Sequence, residues 1–333
     1  MKIQLAIQVA GGQARRDRPG IETVIEDARM AEDLGFGVVY TPDHFIFERL
    51  GTLQTDLPTY DLFFVMSTLA QRTSHIRLGS QVACMLYRHP ATTARLFAQI
   101  DETSGGRVVA GVGAGWTRAE FDMFGLDYPP IGERLRRMDE AVDIMRGLWA
   151  NDRFSYDGKY YRVRDAILLP RPVQRPGPPL LLGGSGNGIL RRAGRWADVI
   201  HMTPAIGGEG TTTIPTVAAF SDAVVKEKLA LVSEEAVRAG RPANAVRYAS
   251  TIYSYGPTSS PTETRQLAEQ LSSLFGLAPS ELLRHPVVLA GTPEEMAEEI
   301  HRRVETHGLW ELTINFTDTT QLRAFGEKVI PKL

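Results

Sequence analysis

Eight short apolar segments, each followed by a stretch of helical spacing, limit what this chain can fold into more than any other feature. The segments lie near Ile3, Val38, Ile76, Val108, Leu180, Val199, Tyr248 and Leu312. Near-continuous apolar runs of this length suit strands buried on both faces, as in a parallel sheet. Between the first two, Ile21, Val24, Ile25, Ala28, Ala31 and Leu34 recur every three or four residues until Gly35 stops the pattern. The same reasoning predicts helices over Tyr60–Arg72, Pro90–Ser104, Ile131–Trp149, Ile189–Trp196, Pro215–Ala239, Pro293–His307 and Gln321–Leu333. Eight βα units predict an α/β fold, a (β/α)8 TIM barrel; a doubly wound open sheet is the alternative, but it seldom needs eight parallel strands in strict alternation.

The alternation breaks twice, so one domain spanning residues 1–333 should carry two insertions. Residues 151–179 contain Asp157-Gly158 between β-prone aromatic runs, which predicts a hairpin, followed by a Pro-rich extended loop. Residues 256–288 read as irregular and partly helical, with no motif.

Composition removes several functions. Thirty-seven basic against 39 acidic residues give a net charge of −2, too little field to hold nucleic acid or an anionic membrane. One cysteine makes neither a disulfide nor a Cys-rich zinc site, the first apolar run is too short for a signal peptide, and no run nears 18 apolar residues, so a cytoplasmic protein is expected. The seven histidines form neither H-x-H nor H-E-x-x-H, so no metal is expected. The six lysines, Lys228 among them, fall at termini, in the hairpin or on predicted helices, away from any Schiff-base position, and there is no G-x-S-x-G elbow.

In a barrel of this type chemistry sits where the strands end. After the second strand, Asp43 and His44 are adjacent, flanked by Phe45 and Phe47; an imidazole exchanges protons near neutral pH. After the third, Gln81, Val82, Cys84 and Met85 offer an apolar shelf and Arg88 a cation, with core packing an equal alternative. Cys84 reads as a buried small apolar residue. After the fourth, Gly111-Val112-Gly113-Ala114-Gly115-Trp116 misses the dinucleotide fingerprint, because its third glycine comes one residue early. Its glycines admit a ligand close to the backbone or serve a tight turn, with Trp116 as a wall and Glu120 nearby. After the fifth, Gly183-Gly184-Ser185-Gly186-Asn187-Gly188 runs into a helix, an arrangement that presents backbone N–H groups to a phosphate.

TPDHF, LGSQVACMLYRHPA, GRVVAGVGAGWTRAEF, LLLGGSGNGILRRAGRWAD and the closing VIPKL match, in order and spacing, the bacterial luciferase-like superfamily of flavin and deazaflavin oxidoreductases, which the whole chain therefore resembles. The resemblance implies a homodimeric TIM-type barrel binding coenzyme F420 or, alternatively, reduced FMN. It implies His44 as the residue that handles a proton, Asp43 as a polar contact to the ring, and a non-proline cis peptide at Gln81-Val82 beneath it. Gly113 and Ala114 would line the ring beside Trp116, and Gly183, Gly184, Ser185 and Gly186 would hold the phosphate. Sugar-phosphate dehydrogenases of the superfamily carry an acidic glutamate directly after the G-x-G-x-G turn; here Trp116 stands there, leaving His44 as the better acid and Glu120 second. The expected activity is hydride transfer between F420 and a small organic substrate. The alternatives are an FMNH2-dependent monooxygenase served by a separate flavin reductase, and a non-catalytic binder of either cofactor.

Overall fold

The computed structural model describes residues 3–9, 20–49, 52–54, 58–206 and 213–333; Lys2, the loop predicted around Gly11 and Gly12 and the side chain of Phe47 lie outside this set. Eight strands form the barrel: β1 (Gln4–Gln8), β2 (Val38–Thr41), β3 (Arg77–Ser80), β4 (Val108–Gly113), β5 (Leu180–Gly183), β6 (Val199–Met202), β7 (Arg247–Ile252) and β8 (Leu309–Ile314). Each pairs in parallel with the next, and β8 returns to β1 with Leu5 opposite Leu312 and Ile7 opposite Ile314. The cylinder is closed, and the open-sheet alternative falls.

Around it lie α1 (Ile21–Asp33), α2 (Leu62–Arg72), α3 (Pro90–Thr103), α4 (Ile131–Ala150), α5 (Asn187–Trp196), α6 (Asp222–Arg238), α7 (Pro293–His307) and α8 (Thr319–Lys328). Alternation along the strands sorts the core into two parts. Leu5, Ile7, Val39, Leu78 and Leu312 pack outward against the helices, whereas Ala6, Val38, Tyr40, Val109, Leu181, Val199 and Ala249 form a separate inner cluster. Within the cylinder Glu311 is fully buried, accepting 2.7 Å from the Tyr40 hydroxyl and 3.0 Å from Gln4 Nε2. Burial pushes its carboxyl up to about 7 despite these donors and the nearby guanidiniums of Arg77 and Arg247.

Three local predictions need correction. The helix expected over Pro215–Ala239 is two, Ile214–Ala218 and α6, because the Ser221 hydroxyl accepts from Val224 N and caps a new start. The second insertion is more regular than expected: Ser254–Pro257 pairs in parallel with Val288–Gly291 around the helices Pro261–Phe275 and Pro279–Leu283. The closing helix ends at Lys328 and continues as a 3₁₀ turn over Ile330–Lys332. In the first insertion, Phe154–Asp157 and Arg162–Ala166 do form an antiparallel hairpin.

Candidate active site

The mouth is shaped by a bulge at the end of β3. Gly79 pairs with Val109, and pairing resumes with Ala83 opposite Val112 and Cys84 opposite Gly113, so four steps on one strand match three on the other. The Gln81-Val82 peptide within this bulge is cis. A Cβ on Gly111 would lie 1.9 Å from the Ser80 carbonyl oxygen, so only glycine lets β4 pass here. A Cβ on Gly113 would lie 2.6 Å from Val82 Cγ2, and one on Gly183 2.8 Å from Val82 Cγ1. The Val82 isopropyl group thus fills the floor between β4 and β5. Gly115, at φ 73°, packs against Cys84 and Phe121. At all three of Gly111, Gly113 and Gly115 the missing Cβ leaves room for protein atoms, and of the three only Gly115 takes the left-handed backbone of a turn.

Asp43 and His44 are neighbours in sequence but have different partners in space. Asp43 is 5% exposed; its carboxylate accepts 2.7 and 3.0 Å bonds from Arg88 and 3.0 Å from the Cys84 amide. Burial raises its carboxyl above the ordinary range against the pull of Arg88. With both oxygens engaged, Asp43 ties Arg88 and the loop after β3 to the loop after β2. Arg88 likewise serves Asp43 and Asp61, which corrects its reading as a cation available to an anion.

His44 pairs with Glu120 instead, 2.8 Å from Nδ1 to Oε2. Glu120 sits on a short helix, Arg118–Met123, is fully buried, and accepts further from the amides of Phe45 at 2.6 Å and Ile46 at 3.1 Å and from the Tyr87 hydroxyl at 3.0 Å. Burial alone would raise its carboxyl, but these four donors hold it below the usual carboxylate range. An ionised Glu120 accepts from His44 Nδ1–H, which fixes the tautomer and orientation of the ring. Glu120 is therefore held as an acceptor against the His44 ring. The Trp116 indole stands edge-on to His44, with centroids 5.6 Å apart, and Tyr128 and Arg134 bond its backbone neighbourhood at Trp116 O and Gly115 O. Phe45 stacks on Phe124 and lies tilted against Tyr87. Cys84 is buried, and burial lifts its thiol well above the ordinary range, as fits a packing residue. Ala114 is also buried.

The fifth-strand loop divides its labour. Gly184, at φ 125°, donates its amide to the His201 carbonyl at 3.0 Å, so this N–H is not offered to a phosphate. Gly183 makes room for Val82. The amides of Ser185, Gly186, Asn187 and Gly188 have no acceptor among the described residues, and a Cβ on Gly186 would meet nothing within 4 Å. Of the predicted Gly183, Gly184, Ser185 and Gly186, the last two keep amides without an acceptor among the described residues, and Asn187 and Gly188 join them. This donor set of amides at the start of α5 fits a phosphate, and the Val82 floor fits the underside of a flat ring. Among the described residues no cluster could hold a metal ion, and no helix is long and apolar enough to cross a membrane.

Two partners escaped the sequence. Tyr87 lies within a segment where only Arg88 and core packing had drawn notice, and nothing local marks its bond to Glu120. Lys228, on α6, donates to the Ser185 carbonyl from 43 positions away.

Known proteins align with this geometry. An F420-dependent glucose-6-phosphate dehydrogenase of Microbacterium testaceum is 28% identical, over 97% of this chain and 96% of its own. An FMNH(2)-dependent dimethylsulfone monooxygenase of Pseudomonas putida is 38% identical over a third of this chain, 33%, and 30% of its own. The structure of an F420-dependent secondary alcohol dehydrogenase in complex with an F420-acetone adduct superposes with a TM-score of 0.77 at 23% identity, covering 100% of this chain and 99% of the other. Residues 1–309 match the luciferase-like monooxygenase family throughout, and the chain belongs to that family.

Proposed function

We propose that this protein is a coenzyme F420-dependent oxidoreductase acting on a small organic substrate, in the cytoplasm and as a homodimer. The observation that carries the reading is the His44–Glu120 pair beside Trp116, above the Val82 floor and one strand from an amide cradle. The full-length similarity to F420-dependent enzymes supports it. Hydride chemistry at C5 is what a bound deazaflavin supplies. The protein's own work is positional. The amides of Ser185–Gly188 hold a phosphate, Val82 supports a ring from below, and Trp116 walls the space beside His44. Glu120 keeps the proton on His44 Nδ1 and stabilises the imidazolium once Nε2 has taken a second proton. His44 Nε2 thereby accepts the hydroxyl proton when an alcohol is oxidised, or returns it to a carbonyl in reverse.

Anaerobic titration tests the cofactor: fluorescence quenching of F420 by the protein with no comparable FMN binding is expected, and the opposite order would reject the deazaflavin. The local 38% identity to an FMNH(2)-dependent monooxygenase favours the second reading, which needs a separate flavin reductase. A cofactor absorbance change in single turnover with an alcohol or ketone is expected; its absence across such substrates would leave a non-catalytic binder.

A further inference from the structure

We propose that Lys228 is part of the cofactor site, gripping the phosphate with its ammonium at the loop after β5. This rests on the reading that a phosphate sits there, and assigns to that seat a residue from outside the loop. The placement follows from helix packing. Gly194 on α5 has no room for a side chain: a Cβ would lie 2.6 Å from the Val232 carbonyl oxygen and 2.8 Å from the Ala236 amide, both on α6. Glu235 of α6 binds Arg191 of α5 at 2.6 Å. The two helices are therefore held close, and the side of α6 nearest the start of α5 carries Lys228. Its Nζ donates to the Ser185 carbonyl at 2.6 Å.

Three properties make this a cation waiting for an anion. The side chain is half-buried, and burial pulls its ammonium below the ordinary lysine range, with only the neighbouring Glu227 opposing the shift. It forms no ion pair among the described residues, whereas arginines of the same two helices are committed: Arg191, Arg195 and Arg238 to Glu235, and Arg192 to Asp139. One donor goes to the carbonyl of the very residue whose amide opens the cradle, so the ammonium is tethered to that loop with two donors left over. An ammonium with three donors and one acceptor already fixed suits a phosphate oxygen. The chemistry is shared by the phosphodiester of F420 and the phosphomonoester of FMN, and the test separates them.

Lys228→Met keeps most of the stem and removes the charge. Affinities of wild type and variant are measured by fluorescence titration for F420 and for the ribityl deazaflavin that lacks the phosphate, and in parallel for FMN and riboflavin. Loss of a charge-assisted bond should weaken F420 by about 10- to 100-fold. The phosphate-free deazaflavin should change by no more than about 2-fold. Lys228→Arg should recover part of the loss, and Lys226→Met, exposed two residues earlier on α6, should have no effect on F420. Equal weakening of both members of a pair, or undiminished F420 affinity, would overturn the assignment and leave the deazaflavin reading intact. A phosphate-dependent loss confined to FMN would keep Lys228 and reject the deazaflavin. Wild-type protein binding none of the four would overturn both. Unfolding temperatures of the unliganded variants separate a folding defect from a binding one.

Discussion

Glu311 inside the cylinder gives the sharpest test of the energetics. A fully buried carboxyl with pKa about 7 holds its proton in the folded state after the unfolded chain, near its ordinary 4.5, has released it. The folded state therefore binds more protons between these values, and stability falls as pH rises from about 4.5 to about 7 and then levels off. Integrating the two titrations, the raised pKa of Glu311 lowers stability by about 1 kcal/mol at pH 5 and about 3 kcal/mol at pH 8. Glu311→Gln removes the titration while keeping the shape; the new amide accepts from Tyr40 and, with Gln4 turned about its last torsion, donates to it. The variant should be more stable than wild type, by an amount that grows about 2 kcal/mol between pH 5 and pH 8. For a chain of this length that growth is a shift of roughly 3 °C in unfolding temperature. Paired thermal scans across the pH range measure it. A difference that stays constant with pH, or a variant less stable at pH 8, would refute the argument that the buried carboxylate is the penalised species.

Other consequences are equally direct. His44→Ala should lower turnover on the order of 10²-fold while F420 affinity stays within a few-fold, measured by stopped-flow absorbance; an unchanged rate removes its proton role. Gly111→Ala drives a methyl group into the Ser80 carbonyl and should destabilise by roughly 3 kcal/mol or more, seen as lost soluble yield or a depressed denaturant midpoint. Asp222 is pushed up by burial, but its bonds from His307 at 2.9 Å and Arg302 at 2.7 Å win and hold it at about 2. Its contribution is present above about pH 4 and lost as pH falls towards 2. Asp222→Asn should therefore cost about 1–2 kcal/mol at pH 7, after discounting for solvent, and the difference should vanish near pH 2.

The barrel was legible because its signal is repeated. Eight apolar runs separated by helical spacing survive errors at individual boundaries, and all eight strands fall on those runs. What failed was local and energetically small: one serine cap splitting a helix, and the pairing of Val288–Gly291 with a strand that the β7 run flows into almost without a break. The site was legible as a set of loops but not as a set of partners. Sequence put Asp43 next to His44, yet past the end of β2 the two side chains part, and one reaches Arg88 while the other reaches Glu120. Glycine signals located the right turns and left their meaning open, since a missing Cβ is silent about whether a ligand or a neighbouring isopropyl group fills the space. Lys228 gave no sign, because its position depends on how tightly two helices pack at Gly194.

The isopropyl group of Val82 ties together three places far apart in the chain. Any enlargement at 113 or 183 must be answered at 82, so these positions should change in concert across descendants of this sequence, like teeth of one gear. The same wedge joins the bulge after β3, the end of β4 and the root of the loop after β5 into a single rigid piece, so none of the three can drift without carrying the others along.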